Sequence, residues 1–164
     1  DKIIIDSITE ALCQADPVNS DFYIKNADEY KNQLTIIDNE YKAQLEKCQS
    51  RTIVFGGHYA FGYMAKRYNL NYLAAQGFSP DSEPTTSELI SLVNQIRKDN
   101  IQYIFYEELA SPKTAETLAN ETNAKMLLLN AGHNVTKADI ENNVSFISIM
   151  RKNLENLKIG LQCN

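Results

Sequence analysis

The sequence predicts an α/β fold in which a parallel four-stranded sheet is flanked by helices and preceded by a long helix. Two observations carry this prediction. From residue 51 to residue 164, short apolar runs alternate with longer segments of helical periodicity. Strands and helices that alternate in this way imply right-handed crossovers and a parallel sheet. Residues 1 to about 49 have helical periodicity throughout and no strand pattern, which indicates a separate helical segment.

The helical segment is predicted to contain two helices. The first covers residues 3–15, where apolar side chains recur at helical spacing, from Ile4 to Ala15. Pro17 ends this helix, because the residue before a proline disfavours the α conformation. Polar side chains at 19–21 can cap a second helix, from about residue 20 to residue 48, which would be about 40 Å long. Such a helix is either half of a surface hairpin or a strut between two lobes.

Strands and helices are then predicted in turn along the rest of the chain. The strands are expected at 52–55, 71–75, 102–106 and 125–129, and the helices at 58–68, 85–99, 112–123 and 137–159. A polar, proline-bounded loop at 79–84 precedes a helix that Thr85 or Thr86 can cap. Ser111 and Pro112 supply a cap followed by a proline at the first helical position. The apolar runs at 103–105 and 126–129 suit strands that are covered on both faces.

Composition excludes several classes of protein. The 164 residues are enough for one domain with a substantial core, and the hydrophobic fraction of 43% is ordinary for a globular protein. The net charge is −5, and scattered Lys and Arg give no nucleic-acid-binding surface. No apolar run approaches the roughly 18 residues of a membrane helix. The start of the chain does not resemble a signal peptide, so we expect a mature form or a fragment that lost its targeting segment.

The cysteines leave the redox compartment open. Cys13, Cys48 and Cys163 lack the close spacing of a structural zinc site. Their number is odd, so at least one thiol is free or pairs between chains. A bridge between Cys48 and Cys163 is one candidate, because both lie near predicted helix ends, but sequence cannot establish its geometry.

Polar side chains follow three of the four predicted strands. His58 follows the first strand and is predicted to lie in the first turn of a helix; Glu107 and Glu108 follow the third; Asn130 and His133 follow the fourth. The carboxyl ends of parallel strands meet at one edge, where open α/β sheets bind their ligands. Imidazole nitrogen and carboxylate oxygen are ligands of zinc and manganese. The sequence therefore indicates an incomplete metal site at this edge.

Other interpretations of these residues stay open. His58 can be a surface imidazole at a strand–helix junction, Glu107 and Glu108 can cap a helix, and His133 suits a turn. An enzyme would use His58 as a general base beside a glutamate, but the chain has no GxSxG, P-loop or GxGxxG motif. A third class is a protein-interaction module that needs no metal.

A series of motifs resembles the carboxy-terminal lobe of the zinc- and manganese-specific solute-binding proteins of ABC uptake systems. The motifs are GHYAFGY from residue 57, KRYNL from 66, GFSPDSEPT from 77, IFYEE from 104, NAGHNVT from 130 and MRKNL from 150. Upstream, ADP from residue 15 and the positions Tyr23, Asn26, Ala27 and Tyr30 resemble the approach to the long interlobe helix of that family. Together these motifs span nearly the whole chain.

The resemblance implies two α/β lobes joined by a rigid helix, with the metal held between them. Residues 1–49 would contain the interlobe helix, residues 50–164 would form the carboxy-terminal lobe, and the amino-terminal lobe with its own ligands is missing. His58 falls on a ligand position at which manganese-preferring members tend to have a carboxylate, so the histidine favours Zn²⁺ over Mn²⁺. The last ligand, usually Asp or Glu, would be His133 or Asn130. Glu107, with Glu108 beside it, would be a second-shell residue or an alternative ligand.

The function that the resemblance implies is capture of a divalent metal ion outside the cytoplasm and delivery to an ABC permease. We expect no enzymatic activity, no binding to nucleic acid and a monomeric state. The full protein would be periplasmic or lipid-anchored at the cell surface. Zinc is the expected cargo, and a manganese-specific protein of the same family is the alternative.

Overall fold

A computed structural model describes residues 1–77, 83–107 and 111–164. Its strands are β1 (Thr52–Phe55), β2 (Asn71–Ala74), β3 (Tyr103–Tyr106) and β4 (Lys125–Leu128). Its helices are α1 (Lys2–Ala15), α2 (Ser20–Leu45), α3 (Gly62–Arg67), α4 (Thr86–Lys98), α5 (Lys113–Thr122), α6 (Lys137–Glu141) and α7 (Phe146–Gly160), with a 3-10 turn at Pro17–Asn19. Most of the predicted 79–84 loop and Glu108 lie outside the described residues. No described helix has the length and apolarity needed to span a membrane.

The four strands form one sheet in the order β2-β1-β3-β4, and every pair of neighbours is parallel. This confirms the predicted α/β class. After β1 the chain moves to one side of the sheet to form β2, and it then crosses to the other side for β3 and β4. The order therefore reverses between β1 and β3, which makes the crevice between their carboxyl ends the topological switch point.

The sheet is covered by helices on both faces. On one face, Val54 of β1 and Ile104 of β3 are buried in a cluster with Ile96 of α4 and Leu118 of α5. The next residue of β3, Phe105, points to the opposite face because side chains alternate along a strand. There its ring lies so close to Gly160 of α7 that a Cβ atom on this glycine would lie 2.3 Å from it. The helix α7 therefore needs a glycine where it crosses the sheet.

Two predicted helices differ from the observed ones. The helix expected at 58–68 begins only at Gly62, so the prediction that His58 lies in a helical turn was wrong. The reason is that the Ala60 N–H donates to the carbonyl of His58, which closes a three-residue turn that an α-helix does not contain. The helix expected at 137–159 is two helices, because Asn143 has a φ of 53° and the Ser145 side chain caps a new helix at the N–H of Ser148.

The chain divides into two compact units, Asp1–Tyr41 and Lys42–Asn164. In the first unit, Lys2 Nζ donates to Thr35 Oγ1 over 2.7 Å, and Lys31 Nζ lies 2.8 Å from Asp6 Oδ1. None of the 14 residues of α1, a helix that the structure describes in full, is buried. The helix α2 ends at Leu45, three residues earlier than predicted.

The second unit is closed by a disulfide between Cys48 and Cys163, which joins positions 115 residues apart. Two backbone hydrogen bonds accompany it, from the N–H of Gln49 to the Gln162 carbonyl and from the N–H of Ser50 to the Leu161 carbonyl. Cys13 stays a free thiol. The pairing that the sequence offered as one candidate is therefore present in the structure.

Candidate metal site

The candidate site lies at the carboxyl ends of β1, β3 and β4, around the topological switch point. His58 is in the loop between β1 and α3, Glu107 comes directly after β3, and His133 is in the loop between β4 and α6. The parallel sheet thus brings together three side chains that are far apart in sequence.

The carboxylate of Glu107 lies between the two imidazoles. Its Oε2 atom is 3.2 Å from Nδ1 of His58, and its Oε1 atom is 3.2 Å from Nε2 of His133. The two imidazole ring centroids are 6.4 Å apart, at an interplanar angle of 69°. The Glu107 side chain is 7% exposed, that of His58 20% and that of His133 53%. A buried carboxylate is costly unless polar partners surround it, and here the imidazoles are such partners.

The loop that carries His58 is anchored to the body of the sheet. The Tyr72 hydroxyl on β2 donates to the carbonyl of His58 over 3.2 Å. Burial raises the pKa of Tyr72 well above its usual range, so the hydroxyl keeps its proton and remains a donor. The loop starts at Gly56, where a Cβ atom would lie 2.4 Å from Cβ of Ala115 on α5. This close approach requires glycine and fixes where the loop leaves the strand.

The loop that carries His133 is built on two asparagines. The Oδ1 atom of Asn130 accepts from the N–H of Gly132 over 2.7 Å, and Gly132 has a φ of 78°, where glycine is favoured. Asn153 on α7 accepts from the N–H of Asn130 over 2.9 Å and donates to its carbonyl over 2.7 Å. The amide oxygen of Asn130 is therefore engaged in holding the turn that carries His133.

Sequence reasoning did not single out Asn153 or Tyr72 as functional residues. Asn153 is 2% exposed, and it lies on the face of α7 that also buries Leu154 and Leu157. A polar residue within a mainly apolar helical stripe was the signal that could have identified it, because a buried amide needs hydrogen-bond partners. Tyr72 gave no comparable signal, since tyrosines are common in strands.

The arrangement offers donors for a divalent metal, but not a closed site. His58 and His133 supply imidazole nitrogens and Glu107 supplies carboxylate oxygens, which are the ligand types of zinc. Across the part of the chain that the structure describes, no group of three or more His, Cys, Asp or Glu side chains is arranged to hold a metal ion. The closest approach in the cluster is instead between imidazole and carboxylate.

Comparison with known proteins shows the family to which this sequence is similar. The family model described as "Zinc-uptake complex component A periplasmic" matches residues 2–160. The high-affinity zinc uptake system protein ZnuA of Bacillus subtilis is 36% identical over 157 residues, which are 96% of this chain and 49% of the relative. The zinc-binding lipoprotein AdcA of Streptococcus pneumoniae is 34% identical over 155 residues, 94% of this chain and 31% of that protein.

Solved structures extend the similarity to three dimensions. The metal-dependent lipoprotein YcdH of B. subtilis has a TM-score of 0.80 and 36% identity, over 94% of this chain and 58% of that one. The Zn(II)-bound ZnuA-like domain of S. pneumoniae AdcA has a TM-score of 0.76 and 34% identity, over 94% and 57%. The chain spans about half, or less, of the length of these curated relatives. The chain belongs to the family of the zinc-uptake complex component ZnuA.

Proposed function

We propose that this chain supplies part of the zinc site of an extracytoplasmic solute-binding protein that captures zinc for an ABC permease. The observation that carries the proposal is the pair of imidazoles, His58 and His133, on either side of the buried Glu107 carboxylate at the switch point. The names of relatives support zinc as the cargo, because ZnuA is described as a zinc uptake protein and AdcA as a zinc-binding lipoprotein.

The donor set favours zinc over manganese. Manganese prefers carboxylate, carbonyl and water oxygens, whereas imidazole nitrogen suits zinc. With His58 and His133 as ligands, this chain would contribute two nitrogens to a tetrahedral zinc ion. Asn130 is the weaker candidate for the last ligand, because its amide oxygen already accepts from Gly132. Glu108 lies outside the described residues, so its part in the site rests on the sequence motif alone.

We propose that the remaining ligands come from a second lobe. Two imidazoles leave a tetrahedral ion half coordinated, and the relatives are about twice as long as this chain or longer. In this proposal residues 50–164 are the carboxy-terminal metal-binding lobe, and residues 1–49 contain the helix that leads to the other lobe. Zinc would then bind weakly to this chain alone and tightly in the two-lobed protein.

The mechanism in this proposal is capture and release, with no chemical step. A neutral imidazole offers a lone pair to zinc and a protonated one does not, so binding weakens as the imidazoles are protonated. The loaded protein, periplasmic or lipid-anchored, would dock on the permease and release the ion. The Cys48–Cys163 disulfide supports a location outside the cytoplasm, because disulfides persist in oxidising compartments.

Isothermal titration calorimetry with zinc and manganese at neutral pH tests the proposal. The expected result is weak binding of one zinc ion per chain and still weaker binding of manganese. The heat of zinc binding should disappear in His58→Ala. Tight one-to-one zinc binding that His58→Ala leaves unchanged would contradict both the ligand assignment and the half-site. Preference for manganese would instead indicate a manganese-specific protein of the same family.

A further inference from the structure

The carboxylate of Glu107 faces a different ring nitrogen in each histidine. It approaches Nδ1 of His58 and Nε2 of His133, both at 3.2 Å. This asymmetry is a property of the two loops, since the β1–α3 loop presents one edge of its ring and the β4–α6 loop presents the opposite edge.

A neutral imidazole carries one N–H and one lone pair, and its neighbours decide which nitrogen has which. An ionised carboxylate only accepts hydrogen bonds. It therefore favours the tautomer whose N–H points towards it, and the lone pair then lies on the other nitrogen. For His58 that nitrogen is Nε2, and for His133 it is Nδ1.

Resting on the zinc-capture function proposed above, we propose that Glu107 is a positioning residue that fixes the two histidines in opposite tautomers. His58 then binds zinc through Nε2 and His133 binds it through Nδ1. Glu107 acts through the two imidazoles and is not itself a ligand. In zinc sites, partners of this kind orient ligand rings and raise their basicity.

The burial of Glu107 makes this control effective. Its side chain is 7% exposed, so water competes little for the carboxylate oxygens. The His133 ring is 53% exposed. Without a fixed acceptor beside it, this ring would exchange freely between its two tautomers. One buried carboxylate thus sets which nitrogen carries the lone pair in each ring before the metal binds. This lowers the reorganisation needed on binding.

Long-range ¹H–¹⁵N correlation spectra of the ¹⁵N-labelled, metal-free chain test the proposal directly. The chain has only two histidines, so His133→Gln assigns both ring systems. At mildly alkaline pH, where free imidazole is neutral, we expect the Nδ1–H tautomer for His58 and the Nε2–H tautomer for His133. The same tautomer in both rings, or a rapid mixture in His133, would overturn it.

Zinc titration of the same sample separates this proposal from the proposed function. Shifts at Nε2 of His58 and Nδ1 of His133 support both. Zinc-induced shifts at Nδ1 of His58 or Nε2 of His133 would overturn the tautomer assignment while leaving zinc capture in place. If zinc shifts the resonances of neither ring, the proposed zinc-capture function is refuted. The metal-free spectrum still tests the tautomer proposal.

The Glu107→Gln variant tests the cause. Its amide can accept from one imidazole and donate to the other, so at least one ring should change tautomer. Zinc affinity should fall by about 10-fold to 100-fold, as for loss of a residue that orients a metal ligand. The matched control is Glu116→Gln on the exposed surface of α5, which should change neither readout. Unchanged tautomers in folded Glu107→Gln would overturn the proposal, because a purely structural role would leave them in place.

Discussion

The two loops that carry the imidazoles of the site hold them in different ways. His58 belongs to a loop tied to β2 by the Tyr72 hydroxyl and pressed against α5 at Gly56, and its side chain is 20% exposed. His133 belongs to a turn whose backbone N–H groups donate to the side-chain oxygens of Asn130 and Asn153, and its side chain is 53% exposed. Both rings meet the same carboxylate.

This difference indicates how much each histidine would contribute to zinc affinity. A fixed ring loses little conformational entropy when a metal binds, whereas an exposed ring loses more because its rotamers become restricted. We therefore expect His58 to be the primary anchor for the metal and His133 to be the weaker and more adaptable ligand. Substitutions in the two loops should therefore have unequal effects on zinc affinity.

The largest expected effect is that of His58→Ala on zinc affinity. Loss of a preorganised ligand should weaken zinc binding more than loss of a residue that only orients a ligand. The dissociation constant for zinc should therefore rise by roughly 100-fold or more. Competition with a zinc-binding dye measures it. The control is Tyr63→Ala, which truncates a 94% exposed side chain on the adjacent α3. An equal loss in Tyr63→Ala would mean that the segment, and not the imidazole, governs binding.

The variant His133→Ala should have a smaller effect, about 10-fold to 100-fold, because this ring is less well fixed. The same dye competition measures it. The expected order is that His58→Ala costs more than His133→Ala. The opposite order would refute the contrast between the two loops.

Asn130→Ala separates the two candidates for the last ligand. It removes the acceptor of the Gly132 N–H, so it should lower the free energy of unfolding by about 1 kcal/mol. Zinc affinity should fall less than in His133→Ala. Urea denaturation and dye competition on one preparation give both numbers. If Asn130→Ala reduces affinity more than His133→Ala without loss of stability, the amide oxygen is the ligand.

A series of glycine-to-alanine variants compares the frameworks of the two loops. Gly56→Ala would bring a Cβ atom within 2.4 Å of Cβ of Ala115, so we expect a loss of about 1–3 kcal/mol. Gly132→Ala places alanine at a φ of 78°, which costs about 1 kcal/mol. Gly77→Ala is the matched control, since its Cβ would meet no atom of the described residues within 4 Å. Urea denaturation ranks the three, and a Gly56→Ala variant as stable as Gly77→Ala would show that the close approach is unimportant.

The smallest effect concerns pH and the start of α6, the helix after the His133 loop. Hydrogen bonds from Thr136 lower the pKa of Asp139 below its ordinary value of 3.8. The carboxylate therefore contributes stability that is fully present above pH 3.8 and is lost as the pH falls through the lower, folded-state pKa. The stability difference between the wild type and Asp139→Asn should shrink as the pH falls through this range. A difference that grows with acid would reverse the sign of the linkage.

Local patterns in the sequence were sufficient for the α/β class and for the approximate strand positions. The run 52–55 is short, apolar and followed by glycines, and the observed strand has the same bounds. Placing His58, Glu107 and His133 after strands was enough to expect them at one edge, because parallel strands end on the same side. The motif resemblance then pointed to the family that the comparisons show.

Non-local contacts determine what sequence reasoning missed. The strand order, which puts β1 beside β3, depends on pairing between distant segments. The loop before α3 is held by a backbone hydrogen bond from the Tyr59 N–H to the Gly77 carbonyl, 18 residues away. The bridging position of Glu107 between two rings requires three loops in their final positions. None of these leaves a periodic signal in the chain.

Zinc K-edge X-ray absorption on the zinc-loaded chain tests whether both imidazoles bind the metal. If both bind, we expect imidazole scattering from two histidines at about 2.0–2.1 Å in the wild type. We expect one imidazole in each of the two histidine variants, His58→Ala and His133→Ala, with the remaining positions filled by light oxygen or nitrogen donors. A spectrum without imidazole scattering, or one that neither substitution changes, would contradict the account.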